Sequence, residues 1–458
     1  MDSIGRRRLL GSLAASAIAG TIMAACGTSE PSKTRSVPTL KASKPKPGSA
    51  LPEPGERRPM PVVAIRAGGD LWLPSVFSAF GKAEAASEGR YTYPEVAIKD
   101  SLETRSSLWS YGGELALRTD SGPAIVNFGQ GDFIDLVETE SLLPLDQHFK
   151  DDSNFDPDAY WPGTLEAGQV RGVQYALPYG VAIWVVAFAD HLAAAVQVNP
   201  PSSEAFGSQE FLQKAIALQG ARSLPGFEDT QGTAVIVSEN PVLAGEVNTA
   251  TPGYAFLHSA IGPYGGTTGS YDGLRLPAAL EAAELYHDLA IKRSLRISLE
   301  ESWNRLQEAK LGMFVHLLSG RSMFFKTATR RDANYSLYPF PAFGAPVNPV
   351  EAWGMLGIAA TTDDPDAAYD AMRVLDRQIQ TEAFIPALRQ SPSQLFERLQ
   401  LLTERESEMV VELLENASFI TLTRRERGVL NRVFDGGIAL HSNSPDEALR
   451  QAALELGG

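Results

Sequence analysis

The stretch that most constrains this chain is Gly172 to Leu192, GVQYALPYGVAIWVVAFADHL, near its middle. Val181 to Ala189 is an unbroken run of Val, Ala, Ile, Trp and Phe. A helix needs roughly 20 such residues to cross a bilayer, so the run reads instead as a buried strand. Leu177-Pro178-Tyr179-Gly180 reads as a break ahead of it, which makes the whole stretch a strand pair. The plain role for such a segment is a core strand of an α/β domain, and its surroundings decide whether it does more.

Those surroundings belong to a globular chain. Of 458 residues, 44% are hydrophobic and 21% charged, enough to bury two domains or one large one. The formal charge of −15 gives a surface that repels phosphate backbones, which excludes general nucleic-acid binding.

The single cysteine, Cys26, has an informative context. Arg6-Arg7-Arg8 precede an apolar, alanine-rich segment, Leu9 to Ala25, that ends Met23-Ala24-Ala25-Cys26. A basic start, an apolar middle and small residues before a cysteine make an export signal. The segment resembles the lipobox of bacterial lipoproteins, in which cleavage precedes a diacylglyceryl cysteine; Arg6 to Leu10 also resembles a twin-arginine signal. With that thiol used as an anchor, thiolate metal sites and cysteine nucleophiles are excluded. Residues 26–60 are rich in Pro, Gly, Ser and Lys and poor in large apolar residues, so they read as a disordered tether with a reach of about 30 Å.

The body begins with a strand at Pro61 to Ile65, a turn through Asp70, and a helix from Leu73 to Ala86. Strands at Tyr93 to Ile98 and Pro123 to Phe128 follow, separated by a helical segment, Leu102 to Arg118. The third strand ends in the turn Gly129-Gln130-Gly131-Asp132, before a short helix from Phe133. Alternation of this kind implies a parallel α/β sheet, whose ligands bind beyond the carboxyl ends of the strands. Further on, Asn240 to Ile261 and Pro277 to Ile291 are helical, Gly312 to Leu318 is a strand, and Trp353 to Thr361 is extended. Asp364-Pro365-Asp366 and Ser444-Pro445-Asp446-Glu447 each open a helix with an N-cap and a first-turn proline.

Catalytic motifs are missing or incomplete. The six histidines are scattered, and Glu284-x-x-His287 is one half of a motif that a dinuclear site needs twice. Gly269-Ser270-Tyr271-Asp272-Gly273 has no strand before it to make a nucleophile elbow. The Gly-rich loop Gly262 to Gly269 lacks the Lys-Ser/Thr of a phosphate loop. No cofactor is expected. The tryptophans, spread along the chain beside Gly, Pro and polar residues, suit stacking on sugar C–H faces as well as packing in a core.

In order along the chain, Leu142-Leu-Pro-Leu-Asp146, then Arg171-Gly-Val-Gln-Tyr-Ala-Leu-Pro178 with its apolar strand, Glu308-Ala-Lys-Leu-Gly-Met313, Tyr338-Pro-Phe-Pro341, Asp364-Pro-Asp-Ala-Ala-Tyr369 and Ser444-Pro-Asp-Glu-Ala-Leu449 resemble the extracellular solute-binding proteins of ABC importers, the sugar-binding family 1 group in particular. The resemblance implies an α/β, two-lobed periplasmic-binding-protein-like fold of type II. Each lobe would be a mostly parallel sheet flanked by helices, and crossing strands would join the two. The expected divisions are a signal peptide at 1–25, the lipidated Cys26 and tether at 26–60, one lobe from 61–180 with 354–395, and the other from 181–353 with 396–458. It further implies a monomer held at the outer face of the membrane through Cys26, hinge closure on a sugar or similar polar solute, and delivery to ABC permease subunits. Carried over by position, the ligand-binding candidates are Asp70, Gln130, Asp132, Tyr179, Trp184, Tyr264, Arg321 and Trp353. The sequence departs from the family at Phe188-Ala-Asp190 and Pro201-Ser-Ser-Glu204, where the family has Tyr-Asn-Lys and a tryptophan-bearing helix start. Two other readings stay open on the residues: a lipid-anchored glycoside hydrolase with a carboxylate pair in the cleft, and a sensor that binds without transport.

Overall fold

The computed structural model describes residues 57–60, 62–64, 73–93, 95–97, 124–202, 206–233, 235–236, 253–263, 270–293, 295–297, 299–318, 334–343, 347–399, 402–440 and 443–457. The expected Leu102 to Arg118 helix, the first half of the expected Asn240 to Ile261 helix, and Cys26 with its signal and tether lie outside them.

Nine strands make one mixed sheet: β1 (Val62–Ala64), β2 (Glu95–Ala97), β3 (Ile125–Phe128), β4 (Leu177–Ala189), β5 (Gln231–Thr233), β6 (Leu311–Leu318), β7 (Tyr335–Pro339), β8 (Asn348–Ile358) and β9 (Ala417–Phe419). The helices that matter to the site are α1 (Leu73–Ala86), α2 (Gln130–Glu138), α3 (Gly253–Ile261), α4 (Pro277–His287), α5 (Pro365–Glu382), α6 (Arg424–Asn431) and α7 (Pro445–Leu456). Strand β1 lies between β2 and β3, parallel to both. The chain then turns antiparallel: β3 pairs with the end of β8, and β8 pairs with β4. The expected mostly parallel sheets are therefore interrupted at the centre, because two long strands running in opposite senses connect them.

All thirteen residues of β4 are buried. The strand changes its neighbours part-way along. Leu177 to Ile183 pair with β8, and on the opposite edge Val181 donates to the Ile385 carbonyl while Ala387 donates to that of Tyr179. Ile183 to Phe188 pair with β6, and Val185 to Ala189 with β7. Strand β8 changes partners at the same level: Asn348 to Val350 pair with β9, and Met355 to Ile358 with β3. Each long strand thus belongs to one half of the sheet at its start and to the other at its end.

Leu177-Pro178-Tyr179-Gly180 does not break the strand, as the sequence suggests, but lies within it. Pro178 sits opposite Met355, where the ladder is irregular and a missing N–H costs least. Between Ala352–Val181 and Gly354–Gly180, Trp353 is the extra residue on β8; between Gly354–Gly180 and Met355–Pro178, Tyr179 is the extra residue on β4. These two bulges offset one another, and the register is the same before and after them. Strand β8 also begins five residues before the Trp353 expected from sequence.

Gln130 and Asp132 are likewise not in a turn; they form the first turn of α2, which follows an extended Gly129. An aspartate there is favoured by the helix dipole. The two N-caps read from sequence are in place: the Asp364 carboxylate accepts from the Ala367 N–H at 3.1 Å, and the Ser444 hydroxyl from the Glu447 N–H at 3.3 Å. Helix α5 packs against α1 beside the first half of the sheet, while α3, α4 and α7 pack together beside the other. No described helix is long and apolar enough to cross a membrane.

Candidate functional site

The level at which β4 and β8 exchange partners gathers four of the sequence-derived candidates, Gln130, Tyr179, Trp184 and Trp353, and brings Asp132 beside them. Asp70, Tyr264 and Arg321 lie outside the described residues.

Tyr179 is buried with its ring against Gly354, where a Cβ would lie 2.2 Å from the ring's Cζ. Only glycine leaves room for it. Its hydroxyl donates to Asn127 Oδ1 at 3.0 Å, and burial raises its pKa well above the ordinary tyrosine value. Trp184 is buried too, and its Nε1 donates to Glu351 Oε1 at 3.1 Å. Trp353, on its bulge, is half-buried and packs on the core.

Gln130 continues the ladder past the end of β3. Its Oε1 accepts the Ala352 N–H at 2.6 Å, just beyond the last paired residues, Phe128 and Met355.

Glu351 is the hub that sequence reading missed. Besides Trp184, its Oε1 accepts from the Tyr254 hydroxyl at 3.0 Å, and its Oε2 faces Arg427 Nη1 at 3.4 Å and Nη2 at 3.5 Å. The Arg427 guanidinium lies over the Tyr254 ring, 5.0 Å from its centre, and donates to its hydroxyl at 3.2 Å. The Tyr254 ring in turn meets Trp184 edge-on at 6.0 Å. Burial disfavours the Arg427 cation, but Glu351, Tyr254 and Asp132 outweigh it and hold its pKa above the ordinary arginine value. All four side chains of this hub are buried.

Helix geometry delivers Arg427. Thr423 and Glu426 form a capping box at the start of α6, and the Tyr271 hydroxyl donates to Glu426 at 2.5 Å. The residue after Glu426 then faces inward, toward β8, while α2 packs against α6 and brings Asp132 to the same place.

Chemically the junction combines a guanidinium, two carboxylates, two primary amides and four aromatic side chains in a largely apolar surround. Among the described residues no group of three or more His, Cys, Asp or Glu side chains could hold a metal ion. Glu284 is exposed and His287 half-buried on α4.

No protein-family model and no curated protein matches the chain. Solved structures do. A cyclic α-maltosyl-1,6-maltose binding protein from Arthrobacter globiformis aligns with a TM-score of 0.64 at 15% identity, covering 87% of this chain and 98% of its own. A sugar transporter from Rhizobium etli in an open conformation gives 0.63 at 17%, covering 87% and 99%. An ABC substrate-binding protein from Listeria monocytogenes in complex with cycloalternan gives 0.59 at 14%, covering 88% and 98%. The chain therefore has the two-lobed α/β fold of the type II solute-binding proteins of ABC importers.

Proposed function

We propose that this protein is the extracytoplasmic substrate-binding component of an ABC importer, capturing a carbohydrate or similar polar solute between its lobes. The observation that carries the reading is the exchange of partners by β4 and β8 at one level, with Gln130, Asp132, Trp184, Tyr254, Glu351 and Arg427 gathered there. Two antiparallel strands crossing at a common level form a hinge about which lobes part and close. In this reading the lobes are 61–180 with 354–395 and 181–353 with 396–458, and Asp70, Tyr264, Arg321 and Trp353 complete the cleft wall. Structural neighbours bound to cycloalternan, acarbose, ribitol and α-D-tagatose support a carbohydrate ligand.

The protein acts by binding and handing over, without turnover. It is a monomer held to the outer face of the membrane through a lipid on Cys26, after Sec or twin-arginine export, and it presents its solute to permease subunits. A thermal-shift screen over sugars, polyols and amino acids tests the proposal. A true ligand at 100 times its Kd stabilises by about 2.7 kcal/mol and compacts the protein in small-angle scattering. A panel that moves neither the melting temperature nor the scattering radius overturns it.

A further inference from the structure

Among the described residues, three buried side chains around one short stretch of β8 carry donors that no described atom accepts. Gln130 spends Oε1 on the Ala352 N–H, which leaves Nε2 unpartnered. Asn127 spends Oδ1 on the Tyr179 hydroxyl, which leaves Nδ2. Arg427 spends both Nη atoms on Glu351 and Tyr254, which leaves Nε. Interior donors are nearly always paired, so three around one strand segment call for an acceptor brought from outside the chain.

The charges at the same place limit what that acceptor is. The guanidinium faces the Glu351 carboxylate, and Asp132 adds to the negative field around it. An anionic group entering here meets a cation already neutralised by Glu351 and a like charge beside it, an arrangement that rejects wrong partners. A hydroxyl meets neither penalty, because its oxygen accepts from an amide or guanidinium N–H and its hydrogen turns toward a carboxylate.

We infer that the junction is a subsite for a neutral polyhydroxylated solute and discriminates against acidic and phosphorylated sugars. Nε2 of Gln130, Nδ2 of Asn127 and Nε of Arg427 donate to its hydroxyl or ring oxygens. Glu351 faces its hydroxyl hydrogens, and Trp184 and Tyr254 supply the apolar wall. The solute enters with the lobes parted and is enclosed as they close. This rests on the solute-binding reading above and narrows its ligand class.

Two isosteric substitutions isolate the donors. Gln130→Glu keeps an oxygen for the Ala352 N–H, and Asn127→Asp keeps one for the Tyr179 hydroxyl; each replaces the spare donor by an acceptor. Titration calorimetry would compare maltotriose, mannotriose, ribitol and tagatose with glucuronate, trigalacturonate and glucose 6-phosphate, on the wild type and on whichever of the two variants keeps its far-UV circular dichroism. The expected result is that a neutral probe binds at least about tenfold more tightly than any acidic one, and that each variant weakens it about tenfold or more. An acidic or phosphorylated probe that binds as tightly as the neutral ones overturns the inference and leaves the solute-binding reading standing. Unchanged affinity for a neutral probe in the variants also overturns it, since the donors then serve only the fold. If no probe of either kind binds, the carbohydrate reading fails and the inference fails with it.

Discussion

Glu351 and Arg427 form a buried ion pair, but their shares of the stability are unequal. The two arginine contacts are long, 3.4 and 3.5 Å, whereas Trp184 Nε1 and the Tyr254 hydroxyl reach Oε1 at 3.1 and 3.0 Å. Removing one member of a buried pair costs about 3–5 kcal/mol, and each neutral donor left unmade adds about 1–3. Glu351→Met strands the guanidinium and both neutral donors, so it should cost about 5 kcal/mol or more. Arg427→Met strands a carboxylate that keeps two good hydrogen bonds, so it falls near the low end, about 3 kcal/mol. The double variant removes both members of the pair and strands only the two neutral donors, and it should be more stable than Glu351→Met alone. Urea unfolding followed by far-UV circular dichroism at pH 7.5 gives the three differences, provided the slope m is unchanged. Two single variants within about 1 kcal/mol of each other, or a double variant costing the sum of the two, would refute the picture of Glu351 as the hub.

Three further outcomes follow, two from the structure and one from the sequence around Cys26. Burial lifts the Asp376 carboxyl to about 7, while burial lowers the His258 imidazole to about 4. Native Asp376 holds its proton where the unfolded chain has lost it, so its contribution falls away as pH rises from about 4 to 7; native His258 stays neutral, so its contribution is lost as pH falls from about 6.5 to 4. Relative to wild type, Asp376→Asn should lose stability more steeply on acidification from pH 6.5 to 4.5, and His258→Gln less steeply, in urea titrations at stepped pH; equal slopes in all three proteins would contradict the assignment. Gly354→Ala drives a methyl into the Tyr179 ring and should cost about 1–3 kcal/mol by the same method, where an unaltered midpoint would mean that the ring is not held on the glycine. Cys26→Ala should move the protein from the membrane fraction of expressing cells to the soluble fraction, and unchanged fractionation would remove the lipid anchor.

What was legible in the sequence was whatever local chemistry decides. Asp364 and Ser444 announce their helices because an N-cap, a proline and an acidic turn act within four residues. The helix at Leu73–Ala86 is set by its own apolar spacing. Pro178 looks like a strand break in sequence because its cost depends on a partner, Met355, 177 residues away, whose ladder is irregular there. Gln130 looks like a turn residue because Gly129 and Gly131 flank it, although the helix begins at Gln130 itself. Arg427 hides in Arg424-Arg425-Glu426-Arg427, which reads as a solvated charge run until the capping box turns one arginine inward. Glu351 carries a signal of its own, a lone carboxylate in an apolar run, but the strand that holds it begins at Asn348, ahead of the extended segment expected from Trp353. Tyr254 and Asn127 are unremarkable in isolation and acquire roles only where the long strands bring them together.

The offset bulges at Trp353 and Tyr179 set a rule for insertions and deletions in this chain. Because one residue is added to each strand, the alternation of faces is in phase on both sides of the junction. Deleting Trp353 alone shifts β8 by one position against β4, so that on one side of the crease every side chain points the wrong way, and Glu351 leaves the face it shares with Ala182 and Trp184. Deleting Tyr179 as well brings the strands back into phase but leaves them flat, without the local twist that bulges confer. The pair therefore behaves as a single genetic unit: one loss is a frameshift written in side chains, and two losses restore the reading of the sheet while removing its fold line.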